Sequence, residues 1–273
     1  MFYLEKTLDT FEPAFMQMLG FYGMRPLPWT DCAALRCFSF SFGREVRRWF
    51  RPAVSVPAAV SALSAAAGVA FSCSAVYAGS MEPVFELPGC LIGPLKQGIA
   101  VPDLTQTFYQ GEGRYLAVRN LPGKEAEVYD PLGLPGLVLD RPFLEKLIPA
   151  HGVYCIFPEN SGTGKRLHPA DLLHAGLGYR RRRRREEQEE MREAFASYQP
   201  GRANGLSLFW GTMNLAQKLD QVLKLKEAAG AADPEIERAY LQARQRLSRA
   251  ARQENLWEIR EAFCGIWEIL DEQ

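Results

Sequence analysis

The sequence predicts an α+β protein, with a first half built on a central antiparallel sheet and a second half that is wholly helical. Three observations carry this. Residues 113–120 (GRYLAVRN) and 125–131 (EAEVYDP) alternate on either side of Leu121-Pro122-Gly123-Lys124, whose Pro-Gly chemistry makes a turn, so the two segments form a hairpin. Residues 89–95 (GCLIGPL) are short and wholly apolar, the pattern of a buried strand. From Asn204 onward, apolar residues recur at helical spacing.

In chain order, residues 10–24 (TFEPAFMQMLGFYGM) predict a buried helix. Thr10 is its cap, Glu12 suits the positive end of the dipole, Pro13 sits in the first turn, and Gly23 supplies the left-handed stop. Ala14, Phe15, Met18, Leu19 and Tyr22 form its apolar stripe. After the connector at 25–28, Phe38, Phe40 and Phe42 alternate with serine and predict an extended segment. Residues 55–68 read as a helix capped by Ser55, with Pro57 in the first turn and Gly68 as stop, and residues 69–76 as a strand. Residues 101–113 are a loop. Residues 139–148 predict a helix capped by Asp140, and residues 152–158 a strand.

Residues 158–169 (PENSGTGKRLHP) are polar and glycine-rich and mark a boundary, with domains expected at 1–158 and 179–273 and a linker over 159–178. Gly162-Thr163-Gly164-Lys165 is no phosphate loop, because the spaced first glycine and the following Ser or Thr are missing. Arg180 to Arg185 precede a block of acids, and pairing of Arg182 with Glu186, Arg183 with Glu187 and Arg185 with Glu189 predicts a solvated helix face; a phosphate or acyl-carrier contact is the other reading. Three apolar stripes follow, from Leu206 to Leu223, Ile236 to Ala250 and Leu256 to Leu270, and predict three core-forming helices.

Composition narrows the function classes. Hydrophobic residues make up 47% and charged residues 23%, as in ordinary globular proteins, and 32 basic residues balance 32 acidic ones. Such a balance calls for neither nucleic acid nor an anionic membrane as partner. The start of the chain lacks the basic and apolar regions of a secretory signal, and no stretch reaches the roughly 18 apolar residues of a spanning helix, so a cytoplasmic protein is expected. Six cysteines are scattered without a CxxC pair, which predicts free, mostly buried thiols and no metal or cofactor.

The run Phe11-Glu12-Pro13-Ala14 followed by Phe21-Tyr22-Gly23, with Asp130-Pro131 after the hairpin, resembles papain-like cysteine domains of the bacteriocin-leader-processing type and the N-terminal domain of the butirosin-biosynthesis acyltransferase family. The resemblance covers residues 5–158 and implies a papain-like N-terminal domain. In those families a cysteine opens the first helix, a histidine opens the first hairpin strand, and an aspartate closes the second. Here Phe11 stands at the nucleophile, Arg114 at the base and Glu5 at the oxyanion-hole glutamine, while Asp130 is retained. A thiol at a helix start is activated by the dipole and an imidazole, and a phenyl ring supplies neither part.

The resemblance therefore implies a pseudoenzyme of bacterial peptide or secondary-metabolite biosynthesis that binds a peptide, an acyl group or a carrier protein. Two further readings stay open. One is an active acyltransferase or hydrolase with Cys32 or Cys37 as relocated nucleophile and His151, His168 or His174 as base. The other is an interaction scaffold whose helical domain contacts a protein partner.

Overall fold

The computed structural model describes residues 10–25, 27, 36–38, 40–42, 51–95, 114–131, 136–159, 166–231 and 233–271. In chain order the elements are α1 (Phe11–Phe21), β1 (Phe40–Ser41), β2 (Arg51–Pro52), α2 (Val56–Ala67), β3 (Phe71–Val76), α3 (Glu82–Phe85), β4 (Gly89–Leu95) and β5 (Arg114–Asn120). There follow β6 (Glu125–Tyr129), β7 (Leu137–Asp140), α4 (Arg141–Lys146), β8 (Val153–Pro158), α5 (Pro169–Ala196), α6 (Arg202–Ala228), α7 (Pro234–Arg252) and α8 (Leu256–Asp271). The fold is α+β. No helix among the described residues is long and apolar enough to cross a membrane.

The chain divides into two units, the first drawn from Met1–Pro28, Val56–Gln106 and Glu112–Arg166. Its centre is a 6-stranded sheet in the order β3-β8-β4-β5-β6-β7, in which every neighbouring pair is antiparallel. The predicted hairpin is the β5–β6 pair, with Gly123 at φ 88° in its turn, a conformation that only glycine adopts without strain. Alternation sorts the sheet into two faces. Cys90, Ile92, Leu116, Val118, Ala126, Val128, Val153 and Cys155 join Val84 of α3 and Leu144 of α4 in one apolar cluster. On the other face α1 packs against β4 and β5, burying Phe11, Phe15, Met18 and Leu19. At roughly 1.5–3 kcal/mol for each large apolar side chain, this stripe holds the helix to the sheet.

Local signals placed these elements well. Gly23 and Gly68 end α1 and α2 at φ 65° and 67°, as expected of helix stops. Two caps differ from expectation. Thr10 makes no side-chain cap bond to α1, and Asp140 makes none to α4; the Thr10 hydroxyl is used elsewhere, as described below. The region read as a helix from residue 139 begins with strand β7 and turns helical only at Arg141, because Leu137 to Asp140 pair with β6.

The second unit takes Leu167–Gln273 and, from far upstream, Trp29–Ser55. The domain bounds expected from sequence are therefore corrected at two points. Residues 169–178, read as linker, are the first turns of the 28-residue α5. The Phe38 to Phe42 segment belongs with the helices, not the sheet: Phe40 lies 6.1 Å from Phe263 and 6.5 Å from Trp267, and Phe42 5.9 Å from Phe263. Its predicted extended form survives as the short β1–β2 ribbon. Gly176 of α5 admits Phe38, whose ring would lie 2.4 Å from a Cβ there. Between α6 and α7, Asp220 accepts hydrogen bonds from the Tyr240 hydroxyl and the Arg244 guanidinium.

Candidate functional site

Phe11 is the first residue of α1, and its position is set by Thr10. The Thr10 hydroxyl accepts the Tyr115 backbone N–H at 2.8 Å, which ties the start of the helix to the start of β5. Here a cap residue has exchanged its usual acceptor role within the helix for a link between elements. The Phe11 ring then meets Tyr115 edge-on at 5.0 Å and Phe15 at 6.1 Å. Room for Tyr115 comes from Gly93 of β4, where a Cβ would lie 2.4 Å from the tyrosine ring. Glu12 is buried in the first turn, where the helix dipole favours a carboxylate.

Arg114 opens β5 and Asp130 follows β6, so the antiparallel hairpin brings them to the same end of the pair. They form an ion pair of 2.8 Å with side chains only 3% and 2% exposed. Arg114 is paired in register with Leu95, and paired residues share a face, so the guanidinium lies on the side of Leu116 and Val118. Tyr115 points the other way, and Phe11 with it. The positions expected for nucleophile and base thus meet at one end of β5, separated by the strand's own backbone. Arg114 is held by Asp130, and the ring by aromatic neighbours.

Glu5 and Cys32 lie outside the described residues. Cys37 is 1% exposed and belongs to the helical unit. His168 caps α5, its Nδ1 accepting the Ala170 N–H at 3.3 Å, while His151 and His174 are exposed. Burial pushes the Cys73 thiol up to about 11, and Cys90 rises well above the ordinary range through its contact with Cys155 and its burial. Neither is an activated thiolate.

The arginine run departs from a solvated face. Arg180 and Glu187 are buried, with Arg180 Nη2 3.1 Å from Glu187 Oε1, so Glu187 faces Arg180 instead of Arg183. Arg183 pairs with Glu186 at 2.8 Å and Glu190 at 3.2 Å, while Arg185 keeps Glu189 as expected, at 3.4 Å. Burial pulls the Arg180 guanidinium below its ordinary value, and Glu187 pushes it back up. The sequence carried a signal for this: Leu173, Leu177, Arg180, Glu187, Met191 and Ala194, all buried, recur at spacings of three, four and seven.

A cavity of about 280 Å³ opens beside this pair, lined by Arg180, Arg181, Arg184, Trp267, Glu268 and Asp271. The Arg180 guanidinium lies over Trp267 at 4.7 Å from the ring centre. Arg181 grips Asp271 at 2.8 Å, and Arg184 reaches Glu268 at 3.9 Å. Among the described residues no cluster of three or more His, Cys, Asp or Glu is placed to hold a metal. No protein-family model matches the chain, and no curated protein or solved structure matches it at a significant level.

Proposed function

We propose that the chain is a catalytically degenerate papain-like protein of the bacterial cytoplasm, which binds a peptide, an acyl group or a carrier protein in peptide or secondary-metabolite biosynthesis. The observation that supports this most directly is the Arg114–Asp130 pair, a guanidinium joined to a carboxylate across a hairpin where the related enzymes join an imidazole to one. An imidazole held by aspartate is a base. A guanidinium so held stays protonated and takes no proton, and the helix start that would present a thiol presents a ring. What remains is binding by a scaffold that has given up turnover, with protein partners reached through the helical unit and no role for nucleic acid or membrane. The buried state of Cys37 weighs against that residue as a relocated thiol.

The test is reconstruction. Phe11→Cys alone is expected to give a buried thiol that reacts slowly with iodoacetamide, and no hydrolysis of a pantetheine thioester. Phe11→Cys with Arg114→His, Asp130 being kept, is expected to titrate like the single variant, because position 114 lies across the β5 backbone from position 11 and an imidazole there does not reach the thiol. Hydrolysis of the thioester by either variant would overturn the reading of a scaffold that has given up turnover.

A further inference from the structure

We propose that the outer edge of strand β3 is a self-association surface, to which a second copy of this chain adds its own β3, antiparallel, about a two-fold axis at Ser74. The inference rests on the backbone of the sheet unit and is independent of the reading of Phe11 and Arg114.

β3 is an end strand of the sheet, with β8 on its inner side. In an antiparallel ladder, alternate residues turn both backbone groups to the same neighbour. Three observations fix which residues of β3 face β8. The Ala70 carbonyl accepts the Glu159 N–H at 2.9 Å. Pro158, which has no N–H, stands opposite Phe71. The Phe71 N–H donates away from the ladder, to Ser64 Oγ at 3.2 Å. Ser72, Ser74 and Val76 therefore bond β8, while Phe71, Cys73 and Ala75 turn their amides and carbonyls outward. Ser64 meets the Phe71 N–H, and just past the strand Ser80 Oγ meets the Tyr77 N–H at 3.1 Å. Between these caps the outward N–H and C=O groups of Cys73 and Ala75 have no partner among the described residues. Ser74 and Ala75 are exposed.

Backbone donors and acceptors in a row at strand spacing are met by another strand. Natural edges are blunted by shortness, charge, proline or a bulge. The opposite edge of the sheet carries such devices: β7 has 4 residues, ends on Asp140, and is followed by Arg141 and Pro142. β3 has 6 residues in unbroken register with β8, and no charged side chain occurs from residue 52 to residue 81.

Symmetry and charge select a second copy as the occupant. The free window is centred on Ser74, so a two-fold axis there sets Cys73 of one copy opposite Ala75 of the other and meets every free group with its equivalent. Ser74 then faces its own counterpart as a non-hydrogen-bonded pair, with Cα atoms about 4.5 Å apart. Small hydroxyls fit at that axis, where like charges would repel. The same register brings Tyr77, 52% exposed, beside Phe71 of the other copy. A charged foreign strand finds no counter-charge along β3.

The experiment is sedimentation equilibrium of the full-length protein under reducing conditions, from about 5 to about 200 µM, which spans a micromolar self-association. The mass is expected to rise towards twice the 30.7 kDa of the chain. Ser74→Lys and Ser74→Glu, at an exposed position, each set like charges on the axis and are expected to weaken the dimer at least about fivefold. An equimolar mixture of the two is expected to dimerise again. Ala75→Pro removes an outward N–H without touching the ladder to β8 and is also expected to weaken it. The register is read in a Cys73→Ser background with diamide, which takes two electrons and two protons from a thiol pair. Ser74→Cys is expected to form a disulfide with its counterpart, and Ser72→Cys, whose copies lie about 13 Å apart along the strands, is not. A monomer at the highest concentration would leave this edge to another kind of chain and overturn the proposal. So would a dimer indifferent to both charges, a mixture that stays monomeric, or equal cross-linking at positions 72 and 74.

Discussion

Glu187 and Phe40, 147 residues apart in the chain, are joined by a hydrogen bond in which the Phe40 N–H donates to the glutamate Oε2 at 3.0 Å. Two residues on, the Phe42 N–H donates to Glu190 Oε2, also at 3.0 Å. The acidic half of the charge run thus satisfies backbone groups of the upstream segment, and Glu187 does so while its other oxygen meets Arg180.

From this dual role, Glu187→Ala is expected to cost about 3–5 kcal/mol, because it leaves a buried guanidinium uncompensated and the Phe40 amide without its acceptor. Glu187→Gln restores the acceptor but not the charge, and its loss is expected to be smaller by about 1–2 kcal/mol. Urea unfolding of the two variants against the parent checks both values. Equal losses would show that the Phe40 bond contributes nothing.

The Arg114–Asp130 pair makes a second stability test. Asp130→Ala or Arg114→Leu alone strands the partner's charge in the interior, at about 3–5 kcal/mol each. Removing both strands nothing, so the double variant is expected to be clearly more stable than the sum of the two losses. A strictly additive double-mutant cycle would mean that the pair is not coupled.

Thr10→Val is isosteric and removes only the acceptor for the Tyr115 N–H. Leaving that buried amide unsatisfied is expected to cost about 1–3 kcal/mol, with Thr10→Ser close to the parent. Hydrogen exchange at Tyr115 is the direct readout and is expected to accelerate in Thr10→Val and to stay slow in Thr10→Ser.

Gly93→Ala places a methyl carbon 2.4 Å from the Tyr115 ring and 2.8 Å from the Arg114 carbonyl. The backbone oxygen has little room to move, so this substitution is expected to lower stability by about 1–3 kcal/mol or more through overpacking. Thermal unfolding measures it, and an unchanged midpoint would contradict the packing described.

The Tyr22 hydroxyl donates to the Gly89 carbonyl at 2.6 Å, and burial pushes its pKa up to about 12 from 10.0. Because the folded state holds this proton more tightly, the stability it contributes is complete below pH 10 and is lost as pH rises towards about 12. Tyr22→Phe is expected to lose the hydrogen bond at neutral pH and to show a shallower decline of stability over that window. Unfolding free energies at pH 9.5 and 11.5 for both proteins decide the matter.

Much of the architecture was legible because its signals are local. Gly23 and Gly68 end their helices, the Pro-Gly turn makes the β5–β6 hairpin, and the apolar Gly89–Leu95 run is a central strand. What was misread depended on partners far away in sequence. Thr10 looked like a helix cap because nothing nearby reveals that the Tyr115 amide competes for its hydroxyl. Leu139 and Asp140, the end of strand β7, were read into the following helix because what makes them a strand is pairing with β6.

The amino-acid order by itself determined the α+β class, the antiparallel hairpin and the helical second half, since turn chemistry and apolar period act over a few residues. It also placed Arg114 and Asp130 at the two ends of that hairpin, and left open whether Asp130 pairs with Arg114 or closes the turn before Pro131; the structure decided for the pair. Only the tertiary structure decided that Phe38, Phe40 and Phe42 join the helices, and that Arg180 and Glu187 leave the solvated face for the interior. Alternation can say that a side chain needs burial, and a charge run that a helix faces water somewhere. Which surface supplies the burial, and which two charges of the run go inside, depends on the contacts made when distant segments close on one another.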